Sequence, residues 1–266
     1  GGRITRIVVT HFHPDHLGLA AWLQEKTGAP VFMTQGEYLT AHAVWHEVGG
    51  HGNVPMLAQF SAHGLDEAGC ASLASRSGTY NRGVPSLPVS YRRLFDGRPL
   101  RIGGHDWQVR VGYGHSPEHA ALYCADLGVL ISGDMLLPKI STNISIFAVT
   151  PQADSLADYL DSLDAYRELP EDTLVLPSHG VPFRGMHDRV EAQHAHHEER
   201  LRVLEESCAV PRSAAELLPI LFQRQLDTHQ TMFAMGEAIA HLNRLESARR
   251  LVRVRGEDGV IRFVEP

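Results

Sequence analysis

The sequence lacks most of the features that mark specialised protein classes. Its three cysteines (Cys70, Cys124 and Cys208) are widely spaced, odd in number and form no CxxC. That excludes a disulfide framework or a thiolate zinc site as the organising principle. The cysteines read instead as reduced, mostly buried thiols of a cytoplasmic protein. The longest apolar stretches, such as VLIS at 129–132, are strand-sized, well short of the roughly 18 residues a membrane-spanning helix needs. No signal-peptide pattern and no internal repeat is visible. Positive charge is not in excess: 24 Lys and Arg face 31 Asp and Glu, a net charge of −7. Nothing in that balance attracts a polyanion. What remains is a chain of 266 residues, 43% hydrophobic and 21% charged. This is an ordinary globular composition, enough for one large domain or a core with a small second module.

Histidine is abundant, with 17 residues, and its positions matter more than its number. Strand and helix signals alternate through the first two-thirds of the chain. RITRIVVT (3–10) is a β-branched run, and 16–28 reads as an amphipathic helix closed by Gly28 and Pro30. PVFMT (30–34) is a short strand. Helical pieces follow around 36–47 and 54–76, then SGTYNRGVPSLPVS reads as loop. Strands resume with PLRIGG, DWQVRVGYG, AALYCA and GVLISG; a helix at 153–168, capped by Asp154, precedes the strand TLVLPS at 173–178. Beyond Pro182 the pattern becomes three helices (187–207, 211–222 and 228–247) and a hairpin with its turn at GEDG. That is the outline of a winged-helix module. The expected organisation is therefore a first domain at 1–186 and a winged-helix-like domain at 187–266.

THFHPDH (10–16) directly follows the first strand. His11 and His13, two apart, can chelate one ion, while Asp15 and His16 turn toward a second; neutral imidazole and carboxylate suit a borderline divalent ion such as zinc. Three later strands also end in a ligand type: VRVGYG in His115, VLISG in Asp134 and TLVLPS in His179. Any one of these alone would ordinarily be a structural histidine or a helix-capping aspartate. Sites in α/β sheets gather beyond the C-terminal strand ends, so the four loops can converge. The expected division places His11, His13 and His115 on one ion and Asp15, His16 and His179 on the other. Asp134 has an oxygen for each.

These residues resemble the metallo-β-lactamase superfamily over roughly residues 3–185. THFHPDH is similar to its signature, GHSPEH (114–119) to the third-histidine motif, SGDM (132–135) to the bridging aspartate and PSHG (177–180) to the last ligand. The resemblance implies an αββα sandwich of class α/β with a dinuclear site, zinc by default and compatible with iron or manganese. It also implies a water acidified between two cations as nucleophile. Asp15 would help to orient that water, and Asp134 would bridge the ions. His119 would act as a supporting or oxyanion group, or simply as a packed histidine. Aspartate at 15 and histidine at 115 resemble the thioesterase, glyoxalase II-like and nuclease branches, and Asp134 stands where zinc β-lactamases commonly carry cysteine. Members usually have several strands before the signature, whereas ten residues precede it here. The sandwich is therefore expected to lack N-terminal strands and to expose sheet surface to a partner, a second copy included.

Segment 36–98 occupies the place of a lid and pocket insertion, with Tyr38, His42, Trp45, His46, His51, Phe60 and His63. Asn143 and nearby hydroxyls lie at the mouth. The apolar character of the segment points to an acyl thioester (acyl-glutathione, acyl-CoA or carrier-linked) as the small-molecule substrate. A ribonuclease or phosphodiesterase is the alternative, and a non-catalytic metal-binding protein a weaker one. Residues 187–266 carry 11 Arg and Lys against 13 Asp and Glu, and 1–186 carry 13 against 18, so neither part has the basic balance of a nucleic-acid module. The segment's arginines are Arg76, Arg82, Arg92, Arg93 and Arg98; Arg92 and Arg93 are the ones expected to grip CoA phosphates.

Overall fold

The computed structural model describes residues 2–75 and 78–266; Arg76 lies outside them. The elements run β1 (Ile7–Val8), α1 (Pro14–Leu17), α2 (Ala20–Thr27), β2 (Val31–Met33), α3 (Gln35–Trp45), α4 (Asn53–Ala62), α5 (Glu67–Ala74), α6 (Thr79–Gly83) and β3 (Arg92–Arg93). There follow β4 (Pro99–Ile102), β5 (His105–Gly112), β6 (His119–Cys124), β7 (Val129–Gly133), α7 (Ser155–Asp164) with a 3-10 turn at Ala165–Glu168, and β8 (Leu174–Pro177). The chain closes with α8 (Met186–Ser207), α9 (Ala214–Leu221), α10 (Thr228–Ser247), β9 (Val252–Arg255) and β10 (Ile261–Val264). Among the described residues no helix is long and apolar enough to cross a membrane. Cys124 and Cys208 are buried, Cys70 is partly so, and all three are free thiols.

The chain forms two compact units, Gly1–His46 with Gly78–Thr142 and Tyr159–Ala192, and Glu47–Ser77 with Asn143–Asp158 and Gln193–Pro266. Two sheets build the first unit. One is parallel, in the order β1-β2-β3; the other runs β4-β5-β6-β7-β8, antiparallel except for the β7–β8 pair. Val8 and Phe32 from the first sheet pack with Val109, Ala120, Leu122 and Ile131 from the second. Every residue of β6 is buried, as expected for a central strand covered on both faces. Gly28 caps α2 in the left-handed conformation, its N–H donating to the Gln24 carbonyl. Gly103 and Gly104, both at positive φ, turn β4 into β5.

Several boundaries differ from expectation. The run at 3–10 pairs as a strand only at Ile7–Val8. The helix expected at 16–28 is two helices, and that at 54–76 is broken between Ala62 and Glu67. The stretch read as loop contains α6 and is followed by the short strand β3.

In the second unit, α4 and α5 pack with the C-terminal helices. The Ala215 N–H donates to the His63 carbonyl at 3.2 Å, and the Ser72 and Thr228 hydroxyls lie 2.7 Å apart. Segment 36–98 is therefore not one insertion: its middle belongs with α9 and α10, where Phe60 and His63 are core residues, 3% and 2% exposed. Apolar stripes on short helices do not encode which neighbour they pack on. Ser213 with Glu216 and Asp227 with Gln230 form capping boxes that start α9 and α10. Ala234, Ala238, Leu242 and Leu245 form the buried stripe of α10. The Arg253 guanidinium spans Glu246 and Asn243, which ties the β9–β10 hairpin to that helix.

Candidate metal centre

The site lies wholly within the first unit, where the loops after β1, β5, β7 and β8 meet. His13 precedes Pro14, which opens α1 at a position where a missing N–H costs nothing. α1 carries Asp15 and His16, whose ring lies 4.0 Å from that of His11 on the turn leaving β1. Its backbone is held from both sides: the Phe12 N–H donates to Glu37 Oε2 at 2.8 Å, and Tyr80 Oη donates to the Phe12 carbonyl at 2.8 Å. A Cβ at Gly18 would stand 2.4 Å from the Gly83 carbonyl oxygen, so close packing against α6 requires glycine there. The Ala120 N–H donates to the Thr10 carbonyl at 2.8 Å and joins this turn to β6.

Three donor sets come together, each with its ligand atoms within 4.8 Å of one another: His11, His13 and His115; His11, His16 and Asp134; and Asp15, His16 and His179. His11 Nε2 is 3.0 Å from His13 Nδ1 and 3.3 Å from His115 Nε2. His179 Nε2 and His16 Nε2 lie 3.3 and 3.4 Å from Asp15 Oδ2. Asp134 touches both groups, with Oδ2 at 3.6 Å from His115 and 3.5 Å from His179, and Oδ1 at 3.4 Å from His16. The first set is the buried end of the cluster. Asp15 and His179, with side chains 57% and 47% exposed, form its open end.

The donors fit divalent cations. Burial, reinforced by neighbouring imidazoles, drives the His11 and His13 pKa values far down. These rings are therefore neutral, the form that coordinates metal. Burial opposes ionisation of Asp134, yet the surrounding His16, His115 and His179 hold its pKa below the usual carboxylate range. Burial also lowers the His16 pKa, but the Asp134 and Asp15 carboxylates outweigh that and raise it. His16 Nε2 and Asp134 Oδ1 are buried without a sound hydrogen bond, as expected of atoms that face a common cation.

Asp134 owes its position to Gly133 and His119. Gly133 sits at φ +56°, beside a register shift between β7 and β8, and a Cβ there would stand 2.4 Å from the His119 ring. The Asp134 N–H donates to His119 Nε2 at 3.1 Å. His119 is fully buried, so it holds the Asp134 backbone and offers no face as an oxyanion donor. Burial lowers its pKa to about 3, which keeps Nε2 an acceptor. The Ser178 N–H donates to the Gly133 carbonyl and sets the loop that carries His179.

Glu37, Tyr80 and Gly133 were not singled out from the sequence. A helix-starting acid, a tyrosine in a Gly/Pro-rich stretch and a glycine at a strand end carry no periodic signal. Of the residues expected to line a pocket, Tyr38 stacks on Tyr91 with ring centroids 4.0 Å apart, and Trp45 donates to the Val84 carbonyl. His42 and His46 stack at 6.2 Å and are in none of the metal-competent groups of the described residues. Arg93 and Arg98 both lie over the exposed Phe95 ring, and Arg92 lies over Phe32. Asn143 belongs to the second unit and donates to Ser145 Oγ.

Comparisons with known proteins identify the family. A beta-lactamase domain protein from Burkholderia ambifaria is 47% identical, with a TM-score of 0.92 over 99% of this chain and 76% of that one. A probable metallo-hydrolase of Bacillus subtilis is 26% identical over 92% of this chain and 75% of its own length. A hydroxyacylglutathione hydrolase of Cereibacter sphaeroides is 28% identical over 66% of this chain, which spans 49% of that protein. Residues 201–266 match the family described as "Metallo-beta-lactamase-like, C-terminal domain". With residues 1–179 matching the family described as "Metallo-beta-lactamase superfamily" and the donor sets gathered at the strand ends of its α/β fold, the chain belongs to the metallo-beta-lactamase superfamily.

Proposed function

We propose that the protein is a dinuclear metal-dependent hydrolase of acyl thioesters. The observation that carries this is the Asp134 carboxylate, whose oxygens contact the buried His115, His16 and the open His179. His11, His13 and His115 would hold one ion and Asp15, His16 and His179 the other, with Asp134 in reach of both groups. Bound divalent ions, zinc by default, supply Lewis acidity and a water acidic enough to react near neutral pH. The chain's own groups do the rest. Asp134, kept ionised by its imidazole neighbours, offsets the repulsion between two cations. Gly133 and His119 hold that carboxylate at its place. Asp15, at the open end, would help to orient the attacking water.

The thioester reading is supported by the likeness to a hydroxyacylglutathione hydrolase and by the negative charge balance of both parts of the chain. Nucleases need basic side chains along a groove. The winged-helix-like C-terminal part is proposed to serve as a structural element. The test is a panel of acyl-glutathione, acyl-CoA and carrier-linked thioesters beside a single-stranded RNA, assayed with metal-loaded protein. Thioester turnover that chelator abolishes is expected, with weak RNA binding. Tight, salt-sensitive RNA binding with metal-dependent cleavage and no thioester turnover would refute the proposal.

A further inference from the structure

Glu37 is an acid in the first turn of α3 and is fully buried. Three donors converge on it. Oε1 accepts the Ser116 hydroxyl and the Glu118 N–H, each at 2.7 Å, and Oε2 accepts the Phe12 N–H at 2.8 Å. Phe12 sits between His11 and His13, and Ser116 follows His115. One carboxylate therefore ties together the two backbone segments that carry the buried donor set. The connection is reciprocal: Glu118 Oε2 accepts the Gly36 N–H at 2.8 Å, and Thr34 Oγ1 donates to the Glu118 carbonyl at 2.7 Å. A Cβ at Gly36 would stand 2.9 Å from the Glu118 side chain, so the two segments are as close as the backbone allows.

Burying a carboxylate is costly unless its oxygens are fully used. With no exposed surface, Glu37 cannot touch a substrate. Its geometry accounts for the cost in another way. The segment of His11 and His13 and that of His115 are bridged by this one side chain, in addition to the Ala120 N–H bond to the Thr10 carbonyl. Asp15 and His16 lie on α1 and His179 on the loop after β8; the Glu37 hydrogen bonds reach Phe12, two residues before that helix, and the Ser116–Glu118 segment, but neither of those two elements themselves. We infer that Glu37 is a positioning residue that sets the affinity of the His11–His13–His115 ion site selectively over the Asp15–His16–His179 site. This rests on the two-ion reading proposed above.

The test is titration of zinc and cobalt into apo-protein against a competing chelator, with the visible spectrum of the cobalt form recorded for each variant. Wild type is expected to take two ions. Glu37→Ala should retain one and bind the other roughly 10- to 100-fold more weakly, the range found when groups behind metal ligands are removed, with loss of one component of the cobalt spectrum. Glu37→Gln keeps an acceptor oxygen and should recover most of the affinity. Ser116→Ala, which deletes a single donor, should fall between. Should Glu37→Ala not fold, the Gln and Ser116 variants carry the same comparison. Equal weakening of both sites would show a brace for the whole fold and overturn the inference, as would two ions bound with wild-type affinity in Glu37→Ala. A wild-type protein that takes fewer than two ions would overturn the two-ion reading itself, and this inference with it.

Discussion

Acidification should unfold the second unit through a few identifiable histidines. His197 on α8 and His241 on α10 are 1% and 0% exposed, and His197 Nδ1 lies 3.0 Å from His241 Nε2. His241 Nδ1 donates to the Glu237 carbonyl at 2.8 Å, which leaves its Nε2 to accept from His197 Nδ1. Burial, with His196 and Arg200 nearby and the partner ring facing His197, lowers both pKa values, that of His241 to about 4. His63, beside Arg253 and Arg255, is also pushed to about 4, first by burial. Glu237, its pKa raised by burial, shifts in the opposite sense and offsets part of the histidine effect as the pH falls.

The folded-state values lie below the unfolded value near 6.5. The contribution of these histidines is therefore complete above pH ~6.5 and is lost as pH falls toward ~4, because at these sites only the unfolded chain takes up protons in that window. At about pH 5 the unfolded histidine is some 1.5 pH units below its pKa, so each of the three sites costs about 2 kcal/mol, or about 6 kcal/mol together. Urea unfolding followed by far-UV circular dichroism, at about pH 7.5 and about pH 5, measures this loss. His241→Gln should reduce the pH-dependent loss by about 2 kcal/mol whatever it does to stability at neutral pH. An unchanged loss in that variant would mean that folded His241 titrates normally, and would refute the reasoning.

Two further outcomes concern the metal centre. Asp134→Ala should lower metal content from two ions per chain toward none by elemental analysis, and should reduce turnover by more than about 100-fold, beyond the effect of supporting groups. Near-normal turnover would exclude the bridging role. Gly133→Ala forces a left-handed residue with its Cβ into the His119 ring. It should cost about 3 kcal/mol in chemical unfolding, with weaker metal binding because Asp134 moves with the strand end; a neutral effect would show that the β7 end adjusts freely.

The seven candidate ligand residues were legible because they are chemically rare and recur at strand ends: His11, His13, Asp15 and His16 in one turn, then His115, Asp134 and His179. Strand periodicity and the sheet rule together predict where such side chains gather, and the structure brings them together. Helix caps at Gly28 and Asp154 are local hydrogen-bond chemistry, and local chemistry is written in local sequence. The choice of neighbours was decided only by tertiary structure. The middle of segment 36–98 joined the C-terminal helices, since an apolar helix face specifies burial but not a partner. The roles of Glu37, Tyr80 and His119 likewise depend on hydrogen bonds across 25, 68 and 15 residues of chain. A short-range pattern cannot encode a contact of that kind, because the partner's position exists only once the sheets have packed.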